Sequence, residues 1–310
     1  MSAQAPVERR RRTREATDPA AAIRAEREFV MTDDDFNRVR ALARALAGIS
    51  LSGGKMDMVY NRLSRVLRAR KLPAMAGFLD LVEAGDGGAQ QQFINALTTN
   101  LTKFFREAAH FEVLAGLLRA QGARRPLEIW CAGCSTGEEA YCIAITALET
   151  LGAEAQVRVL ATDVDTDVLR RAQAAVYPRS AVSEVPLARL KRFFLEGTGA
   201  NEGKVRPRPE VTRMVRFEHH NLLAPDWSRR GPFLAIFCRN VMIYFDATTQ
   251  MAVLEKFAPL LLEDGLLFAG HSEYYAHAVR RWTRIAHAVY RRIPGAGDAP
   301  SGPRPRPEAA

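Results

Sequence analysis

The sequence lacks three features, and each absence excludes a class of protein. No apolar run approaches the roughly 20 residues that a membrane-spanning helix needs, so we expect no membrane insertion. The arginines at residues 9–12 are followed by no apolar core, so we do not expect a secretory signal. Cysteine is scarce: all four cysteines lie in apolar segments, and with no secretion signal beside them we expect a reducing cytoplasm.

The cysteines also give no pattern for a metal site. Cys131 and Cys134 form a C-x-x-C pair, but neither a second pair nor a nearby histidine follows at metal-ligand spacing. We therefore predict no bound metal and assign both cysteines to packing in a turn. The motifs described below contain no Ser/His/Asp triad and no paired acid and base.

Basic residues exceed acidic ones, 44 against 35, which gives a net charge of +9. Such a surface attracts anionic partners, and both nucleic acid and an acidic protein fit that description. Basic residues concentrate between residues 55 and 71, where Arg62, Arg65 and Arg68 lie mostly on one face of a predicted helix. Most charge runs are solvated helix faces, but one sign of charge on one face also indicates an electrostatic docking surface.

The two ends of the chain differ from what lies between them. Residues 1–30 and 294–310 have few large apolar residues and predict a disordered arm and a Pro-rich tail. Residues 31–96 have helical periodicity and predict a small helical domain that starts at a capping pattern of Thr32 and Asp35.

The remaining stretch, residues 97–293, alternates apolar strands with helices and predicts an α/β domain. A helix is predicted in it from Asp246 through Leu262. At about residues 178–214 a Gly-rich and basic stretch interrupts the alternation. We predict an inserted antiparallel β-subdomain there, and insertions of this kind commonly carry partner specificity.

The most informative stretch is a strand–turn–helix–strand unit near the middle of the chain. An apolar strand from Leu127 to Cys131 leads into a turn of small residues, A-G-C-S-T-G, and a helix opens at Glu138. A second apolar strand ends at Asp163. An acid at this place in a doubly wound sheet typically binds a ribose hydroxyl pair, so the unit predicts a nucleoside site.

The turn does not fit a dinucleotide. Its glycines, Gly133 and Gly137, do not form the G-x-G-x-x-G pattern that packs against a pyrophosphate. Glu138 and Glu139 open the helix, where acids suit the helix dipole but oppose a phosphate. The pattern predicts a ligand with a ribose and no phosphate, and S-adenosylmethionine fits. An ordinary turn with capping acids is the alternative.

Polar residues elsewhere are predicted to meet this unit. Asn100 and Thr102 break an apolar run and are followed by Phe-Phe-Arg106, which predicts a polar lid with a fixed cation. A helix–loop–helix junction capped by Thr and Asn is the alternative. Ligands in open α/β sheets bind at the carboxyl ends of the strands. The ends of the third and fourth predicted strands carry a further group of polar and apolar candidates: Asn221, Leu222, Arg239, Asn240 and Tyr244.

Five motifs, in this order, resemble those of the chemotaxis receptor methyltransferases of the CheR type. They are L-T-T-N-L-T-K-F-F-R-E, C-S-T-G-E-E-A-Y, A-T-D-V-D-T-D-V-L, F-C-R-N-V-M-I-Y-F-D and L-F-A-G-H-S-E. The resemblance spans roughly Thr32 to Ile293. It implies a doubly wound, Rossmann-like S-adenosylmethionine methyltransferase sheet with an N-terminal helical domain and an inserted small antiparallel β-subdomain.

The resemblance also implies an activity and a role for each candidate residue. The methyl group would pass to glutamate side chains on cytoplasmic helices of chemoreceptors, leaving S-adenosylhomocysteine. Glu139 would bind the ammonium of the methionine end, Asp163 the ribose or adenine, and Tyr244 would lie near the methyl group and, with Arg106, orient the reacting groups. Three lid residues would contact the cofactor: Asn100, Thr102 and Arg106. Four residues would line the adenosine pocket: Asn221, Leu222, Arg239 and Asn240.

Partners follow from the same resemblance. Receptor helices are the expected partner, and some family members hold a C-terminal receptor tail on the β-subdomain; we expect a monomer and no nucleic acid. Two alternatives remain. A nucleic-acid methyltransferase is favoured by the basic charge, although R-N-V-M-I-Y stands where an N-P-P-Y-like turn is usual. A non-enzymatic adaptor is opposed by the retained acids, Arg106 and Tyr244.

Overall fold

A computed structural model describes residues 27–122, 126–154, 156–225, 227, 231–275 and 281–294. Most of the predicted arm, and the predicted tail beyond residue 294, lie outside the described residues. The last residues of the arm are described and are folded. Phe29 is buried, and its N–H donates to the hydroxyl of Tyr60 at 3.3 Å. The helical domain therefore begins before residue 31.

The first domain is a set of packed helices with one apolar core. Its helices are α1 (Asp33–Ala47), α2 (Met56–Arg70), α3 (Met75–Glu83) and α4 (Gly87–Leu97). The predicted capping pattern is confirmed, because Thr32 and Asp35 accept each other's backbone N–H groups at the start of α1. Fully buried side chains such as Val39, Leu63 and Phe78 form the core between the helices.

The second domain alternates strands and helices. Its elements are α5 (Ala109–Gln121), β1 (Leu127–Ala132), α6 (Glu138–Leu151), β2 (Val157–Asp163), α7 (Thr166–Ala174), β3 (Tyr177–Pro178), α8 (Leu187–Phe193), β4 (Phe194–Glu196), β5 (Lys204–Pro207), α9 (Pro209–Thr212), β6 (Val215–His219), β7 (Phe233–Cys238), α10 (Ala247–Phe257), β8 (Leu261–Ala269), β9 (Trp282–Ala286) and β10 (Val289–Arg292). None of the described helices is long and apolar enough to cross a membrane.

The main sheet has seven strands in the order β6-β2-β1-β7-β8-β10-β9. The five strands from β6 to β8 pair in parallel, and β10 and β9 close the edge antiparallel. The order reverses direction beside β1, so the carboxyl ends of β2, β1 and β7 border one crevice. Trp130 of β1 is fully buried. The predicted doubly wound sheet is confirmed.

The predicted insert contains a separate sheet of three short strands in the order β3-β5-β4, all antiparallel. It begins at Tyr177, next to the predicted boundary, and also includes α8 and α9. The predicted antiparallel β-subdomain is confirmed.

One predicted element ends too late. The helix expected from Asp246 through Leu262 does have Asp246 as its N-terminal cap, but it ends at Phe257. Pro259 follows inside a single 3₁₀ turn. It prevents the α-helix from continuing, because proline removes a helix hydrogen bond and clashes with the preceding turn. Strand β8 then starts at Leu261, within the predicted helix.

Candidate active site

A cleft of about 970 Å³, open to solvent, lies at the carboxyl ends of the parallel strands. The helical domain forms one of its walls. All ten residues predicted from the sequence line this cleft: Asn100, Thr102, Arg106, Glu139, Asp163, Asn221, Leu222, Arg239, Asn240 and Tyr244. The structure thus brings these residues together, while the role of each stays a prediction.

The turn between β1 and α6 is held to the end of β2 by Asp163. This carboxylate is buried and accepts the N–H of Ser135 at 2.8 Å and the N–H of Asp165 at 2.9 Å. Burial raises the pKa of Asp163 to about 6, even though the two N–H donors favour the ionised form. A carboxylate accepts more than two hydrogen bonds, so Asp163 keeps acceptor capacity beside the cleft.

Gly133 in this turn serves packing. Its φ of +84° is a conformation that favours glycine, and a Cβ atom there would lie 2.3 Å from Cγ2 of Val241. Small residues in a turn can also let a ligand approach the backbone closely. At Gly133 the close neighbour is instead the loop after β7, so the glycine brings two walls of the cleft together.

Two phenylalanines just before Arg106 anchor the lid. The ring of Phe104 is buried edge-on between Tyr177 at 5.0 Å and Phe194 at 5.3 Å, measured between ring centroids. The guanidinium of Arg189 lies 4.2 Å from the ring centroid of Phe105. The Arg106 side chain, one-third exposed, extends from this anchored segment and donates to the carbonyl of Leu101 at 3.1 Å.

The polar part of the lid is bonded to the end of β2. Asn100 Nδ2 and Thr98 Oγ1 both donate to Oδ2 of the buried Asp165, at 2.8 and 2.6 Å. Ser135 Oγ donates to the carbonyl of Asn100 at 3.0 Å. The lid and the β1–α6 turn are therefore joined by a network of hydrogen bonds that runs through Asp163 and Asp165.

Arg239 borders the cleft and is the centre of a buried ionic network. Its side chain is 1% exposed and bonds to Glu139 Oε2 at 2.6 Å and Glu107 Oε2 at 2.9 Å. It also donates to the carbonyl of Arg106 at 2.6 Å. Sequence reasoning placed Arg239 in the adenosine pocket. Arg239 does line the cleft, and its guanidinium bonds to these carboxylates and to the lid, because a buried guanidinium needs anionic and carbonyl acceptors. Its role toward the cofactor stays a prediction.

The same network sets the charge of its neighbours. Burial would raise the pKa of Glu107, but the charge and hydrogen bonds of Arg239 outweigh burial and hold it below its usual range. Burial and the charge of Arg239 lower the pKa of His110 to about 4, so this imidazole is neutral. Glu107, His110 and His271 place potential ligand atoms within 4.8 Å of one another. Arg239 already bonds to Oε2 of Glu107, and its fixed charge opposes a metal cation at the same carboxylate.

Sequence reasoning missed the part of the cleft that the helical domain supplies. Ala47 and Ile49, which end and follow α1, line the wall opposite the sheet. Two hydrogen bonds hold that wall in place: Ser50 N–H donates to the carbonyl of Tyr244 at 2.8 Å, and Asn221 Nδ2 donates to the carbonyl of Leu46 at 2.6 Å. Apolar residues after a helix give no local signal for such a contact.

Arg62 does not belong to a free docking surface. Its Nη1 donates to the carbonyls of Leu97 at 2.9 Å and Thr98 at 2.7 Å, and its Nη2 donates to Thr99 Oγ1 at 3.2 Å. It therefore caps the carboxyl end of α4, where the helix dipole favours a cation. Arg68 pairs with Glu28 at 2.7 Å. Of the three arginines predicted to dock a partner, Arg65 is the one whose side chain makes neither a hydrogen bond nor an ion pair with another described residue.

The donors and acceptors of the cleft fit S-adenosylmethionine. Asp163 is a buried acceptor at the usual place for a ribose. Glu139 places a carboxylate, 13% exposed, at the first turn of α6, where it opposes a phosphate. Its Oε2 bonds to Arg239, and a carboxylate has further acceptor positions that suit an ammonium group. The lid adds the amide of Asn100 and the hydroxyl of Thr102. A ligand with a ribose, an ammonium and no phosphate matches this set.

Comparison with known proteins gives the same assignment for both domains. Residues 34–98 match the family model described as the CheR methyltransferase all-alpha domain, and residues 100–290 match the CheR methyltransferase SAM binding domain. The chain is 48% identical to chemotaxis protein methyltransferase 2 of Pseudomonas aeruginosa, over 88% of this chain and 98% of that protein. It is 47% identical to the chemotaxis protein methyltransferase of Escherichia coli, over 84% of this chain and 92% of that protein.

Proposed function

This chain belongs to the CheR methyltransferase family and is an S-adenosylmethionine-dependent methyltransferase of chemotaxis, and we propose that its acceptors are glutamate side chains on the cytoplasmic helices of chemoreceptors. The products would be glutamate methyl esters and S-adenosylhomocysteine. Such an acceptor requires the enzyme to act in the cytoplasm.

The observation that carries this proposal is the position of Arg106. Its guanidinium is partly exposed in the cleft, on a lid anchored by two aromatic side chains, and Tyr244 lines the same cleft. A fixed guanidinium recognises a carboxylate through paired hydrogen bonds. It repels a cationic acceptor and gains little from a neutral one. An acidic side chain is therefore the acceptor that this cation favours.

Catalysis then rests on positioning. Bound S-adenosylmethionine supplies a methyl group on a sulfonium, which needs no further activation. The acceptor carboxylate is ionised near neutral pH, so no side chain has to remove a proton. Arg106 would orient that carboxylate and Tyr244 would fix its approach, while the lid excludes water. Asp163 and Glu139 would hold the two ends of the donor.

The acceptor can be identified by a labelled-methyl assay. Purified protein and S-adenosylmethionine with a labelled methyl group are incubated with a chemoreceptor cytoplasmic domain or with RNA. We expect label on the receptor domain and none on RNA, and we expect it to vanish when the acceptor glutamates are replaced by alanine. Label on RNA would favour a nucleic-acid methyltransferase, and label on neither while the cofactor binds would favour an adaptor.

We predict that the affinity for S-adenosylmethionine depends on the ionisation of Asp163. Only the carboxylate accepts hydrogen bonds from both ribose hydroxyls, and its pKa in the folded protein is about 6. Lowering the pH from about 7 to about 5 should therefore weaken binding by about tenfold. Asp163→Asn should weaken binding by about 1.5–3 kcal/mol at neutral pH and flatten this pH profile. Titration calorimetry measures both effects.

Thermal unfolding of the same variant separates lost binding from lost stability. Removing the charge relieves a cost at neutral pH, because a carboxyl whose pKa is raised in the folded state lowers stability as the pH rises from its ordinary 3.8 to about 6. The amide NH₂ opposes this gain, since it would face the N–H of Ser135 or of Asp165. The exposed Asp167, in the first turn of α7, is the matched control, and Asp167→Asn should leave affinity and pH profile unchanged. An unchanged affinity in Asp163→Asn would contradict the assignment.

We further propose that the exposed basic face of α2 docks on an acidic receptor helix. Because Arg62 caps α4 and Arg68 is paired with Glu28 on the surface, the predicted effect now falls on Arg65. Arg65→Glu should slow association with the receptor domain, and salt above about 0.1 M should reduce the difference, because exposed charges are screened over about 10 Å. Stopped-flow association measures this. The control is Arg119→Glu, an exposed arginine in the last turn of α5; equal slowing in both variants would contradict the proposal.

The β-subdomain is proposed to hold a C-terminal receptor tail along the open edge of β4. Gly197 N–H donates to the carbonyl of Lys204 at 2.8 Å, so strand alternation directs the N–H of Glu196 away from β5 and toward the open edge. An extended peptide can pair with such an edge through main-chain hydrogen bonds. Arg206 and Arg213 are exposed nearby in sequence and would suit a tail that ends in a carboxylate.

Glu196→Pro tests this role, because proline removes the outward N–H and keeps the paired face of β4. We expect a higher KM for receptors that carry the tail and no change for receptors without it, since a tether raises the local substrate concentration and leaves the chemical step alone. Glu196→Ala, which loses only the side chain and its contact with Arg179, is the control. Equal losses on both receptor types would show that the insert is purely structural.

A further inference from the structure

Glu273 is a buried carboxylate surrounded by backbone N–H groups. It lies in the turn after β8, and its own N–H donates to the carbonyl of Gly270 at 2.9 Å. Its Oε2 accepts the N–H of Asn240 at 3.0 Å and of Gly270 at 2.5 Å. Its Oε1 accepts the N–H of Ile243 at 3.2 Å. One side chain thus bonds to two separate segments of the chain.

Among the described residues, no ion pair compensates this carboxylate. Glu273 is 5% exposed, and in the described part of the chain no lysine, arginine or histidine lies within 4.0 Å of it. Burial raises its pKa, opposed by the N–H bonds from Gly270, Asn240 and Ile243. A buried carboxylate is costly unless hydrogen bonds compensate it, and here the compensation comes from the N–H groups of Asn240, Ile243 and Gly270.

The loop that Glu273 holds begins at Asn240 and ends at Tyr244. Asn240 has a φ of +59°, and a 3₁₀ turn follows from Met242 to Tyr244. Neither the backbone at Asn240 nor this turn belongs to a helix or sheet with regular hydrogen bonds. The N–H groups of Asn240 and Ile243 therefore use the carboxylate as their partner. Gln250 adds a second support, donating to the carbonyl of Met242 at 2.9 Å.

The turn after β8 also touches the lid. His271 N–H donates to Glu107 Oε1 at 3.3 Å, beside Arg106. A Cβ atom at Gly270 would lie 2.4 Å from Nδ2 of Asn240, so the turn and the loop pack in direct contact. The turn therefore meets both segments that carry the proposed catalytic pair, Arg106 and Tyr244.

We propose that Glu273 is a positioning residue for methyl transfer. By accepting the N–H groups of Asn240 and Ile243, it fixes the loop that presents Tyr244 to the cleft, and through its turn it keeps that loop in register with the lid. This inference rests on the proposed function for the identity of the reaction. The geometry of the loop does not depend on which molecule accepts the methyl group.

Glu273→Gln tests the proposal with almost no change in shape. The amide keeps one oxygen acceptor, but its NH₂ group is a donor and would face a backbone N–H. We expect kcat for methyl transfer to fall at least about tenfold, since small misplacements of reacting groups have effects of this size. KM for the receptor domain should change much less. Glu255→Gln, at an exposed position of α10, is the control and should match the wild-type protein.

Hydrogen exchange provides a readout that needs no acceptor. In Glu273→Gln the amides of residues 240–244 should exchange at least about tenfold faster, while amides of β1 and β2 keep wild-type rates. If this variant does not fold, kcat and hydrogen exchange are measured instead on Glu273→Asp, which keeps the charge but is one methylene shorter. Wild-type kcat and exchange in the folded variant, or faster exchange throughout the protein, would overturn the proposal. Absence of receptor methylation by the wild-type protein would instead contradict the proposed function and leave the exchange result standing.

Discussion

Replacing Arg239 with methionine is expected to lower the free energy of unfolding by about 3–5 kcal/mol, the cost of leaving buried charges without their partner. The arginine side chain is 1% exposed, and it neutralises Glu107 and Glu139, which are 12% and 13% exposed. Methionine fills a similar volume, so the loss comes from electrostatics and hydrogen bonding. Urea unfolding at neutral pH measures it.

The pH dependence distinguishes this explanation from simple loss of packing. Arg239 holds the pKa of Glu107 below its ordinary 4.5, so the pair stabilises the fold above that value and its contribution is lost as the pH falls through the lowered pKa. In the methionine variant the unpaired carboxylates instead take up protons as the pH falls. The deficit should therefore be largest at neutral pH and shrink toward about pH 4.5.

The matched control for this prediction is Arg170→Met. Arg170 pairs with Asp167 on the surface of α7, where the two side chains are 75% and 51% exposed, and exposed ion pairs contribute little. A deficit in Arg239→Met no larger than that of Arg170→Met, or one independent of pH, would contradict the network described here.

Arg106→Ala is expected to lower kcat for methyl transfer by about 10²–10³-fold, the range found when one preorganised donor is removed from an active site. The fold should be little affected, because the side chain is one-third exposed and its direct bond is to the carbonyl of Leu101. Arg106→Lys keeps the charge but loses the paired donors, so its kcat should lie between that of the wild-type protein and that of Arg106→Ala. Single-turnover transfer and thermal unfolding, measured together, test this.

Lys103→Ala is the control for Arg106. Lys103 lies in the same lid segment but pairs with Glu184 on the surface, where both side chains are more than half exposed. Its removal should leave kcat near the wild-type value. Turnover close to wild type in Arg106→Ala would show that the arginine is structural and would remove the observation on which a carboxylate acceptor rests.

The parts of this protein that sequence predicts best are those encoded locally. Three of them lie close together in sequence: the apolar strand Leu127–Cys131, the small-residue turn and the acid at Asp163. Each is recognised from its residue types and spacing alone. The carboxyl ends of parallel strands lie at one edge of a sheet. Predicting the strands was therefore enough to predict that the candidate residues at their ends meet in one cleft. The helix predicted from Asp246 extended too far, and this error was avoidable because Pro259 in the sequence already indicates where α10 ends.

What sequence could not predict depends on contacts between distant segments. Arg239 bonds to carboxylates 100 and 132 residues away, and Glu273 bonds to a loop about 30 residues before it. Arg62 is the same residue type as Arg65 and Arg68 and follows the same helical spacing, yet its side chain turns inward to cap α4. In each case the charge was visible in the sequence, but its partner was set by how the elements pack.

The central claim is that the methyl group is transferred to the oxygen of a glutamate carboxylate. It is tested most directly by treating the labelled receptor domain with mild alkali after the reaction and measuring volatile label. A methyl ester hydrolyses under these conditions, so the account predicts that the label is released as methanol and that peptide mapping places it on glutamate. Label that stays on the receptor after alkali, as a methylated nitrogen would, contradicts the account.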